Sequence, residues 1–172
     1  MDTFSQVSSV IGQAGRRGAL MISMDCNHPD IEDFIDAKKN TDKLEGCNIS
    51  VMADGDFIKN SPLMHKLAEN NWNYAEPGIL YWDNINKNNL LSEYIKNGEF
   101  EYAGVNPCAE EPLPAGGSCL LGAINLSEFV EAPFTEEAVF NIYKFKDAVR
   151  IAVRALNDVL DEGLELHPLE IQ

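Results

Sequence analysis

No apolar run in the 172 residues reaches the ~18 positions that a membrane-spanning helix needs, and no basic stretch followed by an apolar one opens the chain. Neither a membrane span nor a signal peptide is therefore expected. Positive charge is scarce: 13 Lys and Arg stand against 28 Asp and Glu, a formal net charge of −15. A nucleic-acid backbone is gripped through a basic face, so nucleic acid is not an expected partner. Cysteine is sparse too, with Cys26, Cys47, Cys108 and Cys119 forming no Cys-x-x-Cys pair and no paired metal spacing. The three histidines, His28, His65 and His167, add no metal spacing and read as capping or surface residues. A metal site and a disulfide scaffold both drop out. What remains is a reducing cytoplasm with thiols kept for chemistry or packing. No internal repeat or low-complexity segment appears.

What is present is ample core material, 45% hydrophobic by composition, enough for one domain. Phe4, Val7, Val10 and Ile11 fall at helical spacing, and the glycine-rich stretch from Gly12 to Gly18 stops that helix with a residue suited to a C-cap. Residues 19–24 do not alternate cleanly and read as a strand buried on both faces. Asn27-His28-Pro29-Asp30 starts a helix carrying Ile31, Phe34 and Ile35. Residues 48–52 alternate and give a second strand. A helical stretch over 57–70 breaks near Ser61-Pro62; residues 78–83 form a third strand and 90–97 a short helix. Phe145, Val149, Ala152, Val153, Leu156, Val159 and Leu160 make one apolar helical stripe, closed by Gly163 and Pro168. Trp72 and Trp82 are expected in the core. The alternating order of strands and helices predicts an α/β fold with mainly parallel strands.

One stretch organises the rest: residues 106–119, Asn-Pro-Cys-Ala-Glu-Glu-Pro-Leu-Pro-Ala-Gly-Gly-Ser-Cys. Pro107, Pro112 and Pro114 remove backbone donors and fix φ, so neither a helix nor a central strand runs through it. Residues 119–126 are apolar enough to be a buried strand. The picture is a stiff loop carrying Cys108 between a carboxamide, Asn106, and a carboxylate, Glu110. If the segment is extended, positions 106, 108 and 110 point the same way. A single cysteine is more often a small buried hydrophobe, the reading preferred for Cys26 and Cys47. A polar loop re-entering the core is more economically explained by function.

Asn-Pro-Cys-x-Glu, a proline-rich spacer and Gly-Ser-Cys-x-Leu-Gly-Ala-Ile-Asn-Leu together resemble the finger loop of the ribonucleotide reductase large subunit. The ten residues between the cysteines and the proline after Asn106 resemble its adenosylcobalamin-dependent class most. Residues 4–18, 20–34 and 150–161 are similar to the same family. The resemblance implies part of a ten-stranded α/β barrel built of two half-barrels, with this chain as a fragment from its middle and Met1 at an internal position. It also implies roles. Cys108 carries a thiyl radical, Glu110 acts as base on the 3′-hydroxyl, Asn106 holds the hydroxyls, and Cys119 is half of a reducing dithiol. The partner of Cys119 lies, on the family pattern, in an upstream part and is neither Cys26 nor Cys47. Gly12, Gln13, Ala14, Gly15, Arg16, Arg17 and Gly18 resemble the substrate-specificity loop. Adenosylcobalamin, a ribonucleotide substrate, a deoxynucleotide effector, a thioredoxin-like dithiol reductant and a homodimer are implied for the full-length enzyme.

Three competing readings carry different expectations. An oxygen-dependent ribonucleotide reductase is disfavoured by the short spacer. A thiol–disulfide protein pairing Cys108 with Cys119 is disfavoured by the missing Cys-x-x-Cys and by the Asn/Glu bracket. A non-catalytic interaction module is the third. The catalytic reading requires Cys108 off the helix-covered face, on the side where Cys119 lies nearby. Residues 119–126 are expected as a strand parallel to the others, with residues 106–118 more exposed or mobile than that strand.

Overall fold

Side chains alternate across a strand, and the alternation in residues 48–53 decides how the chain folds. Ile49, Val51 and Ala53 point one way and are buried; Asn48, Ser50 and Met52 point the other. The computed structural model describes all residues except 14, 41–43, 99, 165 and 167–172, with backbone only at 13, 17 and 95. The expectations for Ala14, His167 and Pro168 therefore lie outside the described residues. The chain forms two compact units, Met1–Gly117 and Ser118–Gln172.

In the first unit, helix α1 (Asp2–Val10) leads into a tight antiparallel hairpin of β1 (Gly12–Gln13) and β2 (Arg16–Arg17). A parallel sheet follows in the order β3 (Met21–Asp25), β4 (Asn48–Ala53), β5 (Gly78–Tyr81). Parallel neighbours need a crossover. Helix α2 (Ile31–Asp36) makes the first; α3 (Gly55–Asn60) and α4 (Pro62–Tyr74) make the second. The break between α3 and α4 falls at Ser61, as the sequence predicts: it is extended before Pro62, and its Oγ accepts from Leu63 N at 3.2 Å. Asp54 caps α3 in the same manner, accepting from Phe57 N at 2.7 Å. Helices α5 (Trp82–Lys87) and α6 (Ser92–Lys96) then lead to a second hairpin, β6 (Gly104–Val105) with β7 (Pro112–Leu113).

All the helices that cover the sheet sit on one face. Phe34 and Ile35 of α2, Phe57 of α3 and Leu67 of α4 close over Ile49, Val51 and Ala53, with Ile22, Met24 and Ile79 at the margin. Each large side chain buried here contributes about 1.5–3 kcal/mol. Asn70 reaches into this layer, its Nδ2 donating to Ile35 O at 2.9 Å and Asp36 Oδ1 at 3.0 Å. Lys38 ties the end of α2 to Cys47 O and to the carboxylate of Glu76. Trp72 departs from expectation: it lies on the outer side of α4, 89% exposed, because Leu63, Leu67 and Asn70 set the inward stripe. Trp82, at the start of α5, is only half-buried. Helix α1 also turns out opposite to its apolar spacing. Ser5 and Ser8 face inward, and Phe4, Val7 and Val10 are exposed. Ser5 Oγ accepts from Gly46 N at 3.0 Å, and a Cβ on Gly46 would stand 2.2 Å from Ser5 O. The helix ends on an extended Ile11 and not on a glycine cap.

In the second unit the expected strand over 119–126 does not form. Residues 118–125 are irregular, and Cys119, Leu120 and Leu121 are exposed. Among the described residues of this unit the strands are β8 (Val130–Glu131) and β9 (Val139–Phe140), which pair with each other and offer that apolar run no ladder. Asn125 ends the run by capping a 3₁₀ turn, Leu126–Phe129, through Ser127 N at 3.2 Å. Phe145 packs edge to face against Phe129 and Phe140, which are tilted to each other, at the start of α7 (Ile142–Leu164). On α7 the half-buried seam is Phe145, Val149, Ala152 and Leu156; Val153, Val159 and Leu160 of the predicted stripe are exposed, and Gly163 lies inside the helix.

Phe34 is 1% exposed at the centre of the first unit, so Phe34→Ala should cost about 3–5 kcal/mol in urea unfolding; a loss below about 1 kcal/mol would contradict this core. Burial raises the pKa of Asp36, but hydrogen bonds from Lys66, Lys39 and Asn70 outweigh it and hold the carboxyl at about 2. A folded value below the ordinary one means that the stabilisation is complete above about pH 4 and is lost as pH falls towards about 2. Asp36→Asn should lower stability at neutral pH and flatten the acid decline over that window, read from unfolding midpoints across pH.

Candidate functional site

Residues 104–113 form a hairpin whose stem is two residue pairs, Gly104 with Leu113 and Val105 with Pro112. Ala103 N adds a bond to Leu113 O at 2.9 Å, and Asn106 N one to Glu111 O at 3.1 Å. The tip is a turn, closed by Ala109 N donating to Asn106 O at 3.0 Å, with Pro107 and Cys108 at its two central positions. Proline suits the first of these because its φ is already set. Ala109 follows at φ 67°, in the left-handed region.

This turn corrects the extended reading of 106–110. Asn106 and Glu110 meet because the chain folds back, with Asn106 Nδ2 donating to Glu110 Oε1. Asn106 Oδ1 accepts from Glu111 N at 3.0 Å. Both ends of the Asn106 amide thus serve the loop. Cys108 is exposed at the apex between them, its thiol free.

The hairpin lies on the sheet face that α2, α3 and α4 leave open. Ser23 and Ser50 pair across β3 and β4 on that face, opposite to the Ile22 and Val51 side. A Cβ on Gly104 would stand 3.8 Å from Ser23 Oγ. At the other end, Asn48 Nδ2 donates to Pro107 O at 3.1 Å. An open groove of about 480 Å³ runs beside the stem, lined by Phe4, Met21, Ser23, Val105, Leu113 and Pro114 among others. Sequence reading treats Asn48 only as the first residue of a strand. The available signal is parity, since 48 shares its face with Ser50 and 23.

The loop after α1 is the β1–β2 hairpin, with Gly12 opposite Arg17 and Gln13 opposite Arg16. Gly15 sits at φ 78° in its connection, and Gly12 must lack a side chain because a Cβ would lie 2.5 Å from Arg16 O. Gly18 N closes the base on Ile11 O at 3.1 Å, and Arg16 is exposed. Cys119 is exposed in the second unit; Cys26 and Cys47 are buried, flanking the ends of β3 and β4. Burial raises the pKa of both buried thiols. His28 and His65 are surface residues, His28 Nδ1 accepting from Asp30 N at 3.1 Å.

A parallel sheet with helices on one face and a hairpin on the other is the layout of an α/β-barrel wall. The comparisons identify that barrel. The chain matches the family described as "Ribonucleotide reductase, barrel domain" over residues 1–61 and 56–170, and it belongs to that family. A vitamin B12-dependent ribonucleoside-diphosphate reductase of Thermoplasma acidophilum is 34% identical over 187 aligned residues, covering 94% of this chain and 23% of the relative. A vitamin B12-dependent ribonucleotide reductase of Streptomyces avermitilis is 28% identical over 192, covering 85% and 19%. One named vitamin B12-dependent ribonucleoside-diphosphate reductase from Mycobacterium tuberculosis is 27% identical over 183, covering 92% and 24%. The chain spans about a fifth to a quarter of the length of these relatives. No helix among the described residues is long and apolar enough to cross a membrane.

Exposure and thiol chemistry give a direct prediction. After mild reduction, alkylation of native protein near pH 8 should label Cys108 and Cys119 and spare Cys26 and Cys47 until denaturant is added. Peptide mass spectrometry reads the outcome, and native labelling of Cys47 at the rate of Cys108 would contradict the burial described.

Proposed function

We propose that these 172 residues supply the radical-carrying finger and neighbouring wall of a cobalamin-dependent ribonucleotide reductase, completed by residues outside this segment. The observation that carries the reading is Cys108 exposed at the apex of a hairpin on the face that α2, α3 and α4 leave open, with Asn106 and Glu110 beside it. Removing a ribose 2′-hydroxyl calls for radical chemistry, because hydroxide leaves an unactivated carbon poorly. Adenosylcobalamin, when bound, supplies the one-electron oxidation that turns a thiol into a thiyl. What these residues offer towards it is that thiol, accessible and uncommitted to a disulfide.

In this reading Cys108 takes the 3′ hydrogen atom and later returns it. Glu110 removes the 3′-hydroxyl proton, which requires hydrogen-bond reach to the sugar. Asn106 orients the hydroxyls after exchanging a loop hydrogen bond for a substrate one. The 2′-oxygen leaves as water with a proton drawn from the dithiol, and Glu110 returns the 3′-hydroxyl proton at the end. The two electrons come from Cys119 and a partner thiol outside this segment, which close to a disulfide and are restored by an external thioredoxin-like dithiol. The β1–β2 hairpin, residues 12–18, is assigned to substrate selection under a deoxynucleotide effector. We assign the working protein to a reducing cytoplasm, as a homodimer, with residues 1–172 as one stretch of the catalytic barrel domain. The names of the relatives favour cobalamin over an oxygen-dependent radical source.

The test is made in the full polypeptide that carries this segment. Cys108→Ser should abolish deoxynucleotide formation, since an O–H bond is too strong to give the needed radical. Cys119→Ser should still permit radical formation but stop multiple turnover with a dithiol. Normal turnover by either variant would overturn its assignment.

A further inference from the structure

The Cys108 hairpin has a weak stem. Two residue pairs hold it, and Pro112 has no N–H to give to its partner strand. The turn closes on itself through Asn106, which fixes its shape but not where that shape sits on the sheet. Near the base, Gly104 rests against Ser23. At the tip, the bond from Asn48 Nδ2 to Pro107 O, 3.1 Å, joins the turn to the sheet across 59 residues of sequence. Asn48 is itself held firmly: its N–H donates to Leu20 O at 2.8 Å, and it stands opposite Met21 in the parallel ladder.

The acceptor is the carbonyl of the Pro107–Cys108 peptide. Turning that planar unit swings the Cα–Cβ bond of Cys108, so a hydrogen bond to its carbonyl bears on the direction of that side chain. We propose that Asn48 is a positioning residue for the thiyl-bearing cysteine, setting the register between the hairpin tip and β4. The proposal rests on the reading of Cys108 as the radical carrier. Hydrogen transfer to and from carbon demands near-contact geometry, and a misplacement of about 1 Å can cost about a hundredfold in rate.

Three variants of the full-length reductase separate the possibilities: Asn48→Ala, Asn48→Asp and Cys108→Ser. Asp matches Asn in size but presents only acceptors to the Pro107 carbonyl when ionised, so it keeps the strand and removes the bond. Three readouts are taken: kcat and KM for ribonucleotide reduction with adenosylcobalamin, the thermal midpoint, and the iodoacetamide alkylation rate of Cys108 relative to Cys119 in cofactor-free protein. For both Asn48 variants we expect kcat to fall about ten- to a hundredfold with KM within about threefold. We expect the Cys108/Cys119 alkylation ratio to rise at least about twofold as the tip is released, and the midpoint to stay within about 2 °C of the parent. Parent-like kcat, or a parent-like alkylation ratio, in Asn48→Ala overturns the proposal; so does parent-like kcat in Asn48→Asp, which would leave Asn48 a strand residue only. Full activity in Cys108→Ser would instead overturn the radical assignment. An inactive Cys108→Ser beside a normal Asn48→Ala would overturn the positioning role alone.

Discussion

Everything in the first unit depends on the two-residue period of its parallel strands. One parity presents Ile22, Met24, Ile49, Val51, Ala53 and Ile79 to the helices; the other presents Ser23, Asn48 and Ser50. A register slip of one residue between β3 and β4 would exchange those sets, putting serine and asparagine against Phe34 and Leu67. Burial of the apolar set therefore fixes, with the same free energy, where the polar set stands. The hairpin inherits its seat from a core that it does not touch. Stability on one side of the sheet and placement of a thiol on the other are one choice of register.

The legible parts of the sequence were those whose signals are local and whose partners lie close in the chain. The three parallel strands, the break at Ser61-Pro62 and the burial of Cys26 and Cys47 all follow from periodicity, proline chemistry and apolar runs. Asn106 and Glu110 were legible as a pair, but the turn that joins them was not, because an Asn-Pro-Cys-Ala turn and an extended segment share the same composition. Residues 119–126 show the opposite failure. Their apolar character signals burial, yet a strand also requires a neighbour to pair with, and β8 and β9 are occupied with each other. The apolar stripe of α1 reports a face correctly and its surroundings wrongly, since the contacts of Ser5 and Ser8 with the segment around Gly46 and Gly18 take the inner position. Asn48 was illegible because a hydrogen bond spanning 59 residues leaves no mark in local composition.

The four cysteines divide along the same physical line. Cys26 and Cys47 belong to the buried apolar cluster of the first unit, and burial raises the pKa of both thiols, as expected of packing groups. Cys108 and Cys119 are exposed, one at the tip of a hairpin and the other in an irregular segment.

The turn at the hairpin tip is wired almost wholly from within. Asn106 supplies its backbone N–H and C=O and both ends of its amide to partners no more than five residues away. A segment of about ten residues with its own hydrogen bonds behaves as a cassette, carrying its shape in its own sequence. Such a cassette could be moved to the polar edge of another parallel sheet without redesigning its interior. The host would have to provide only a flat, glycine-tolerant seat and one donor at the height of the proline carbonyl.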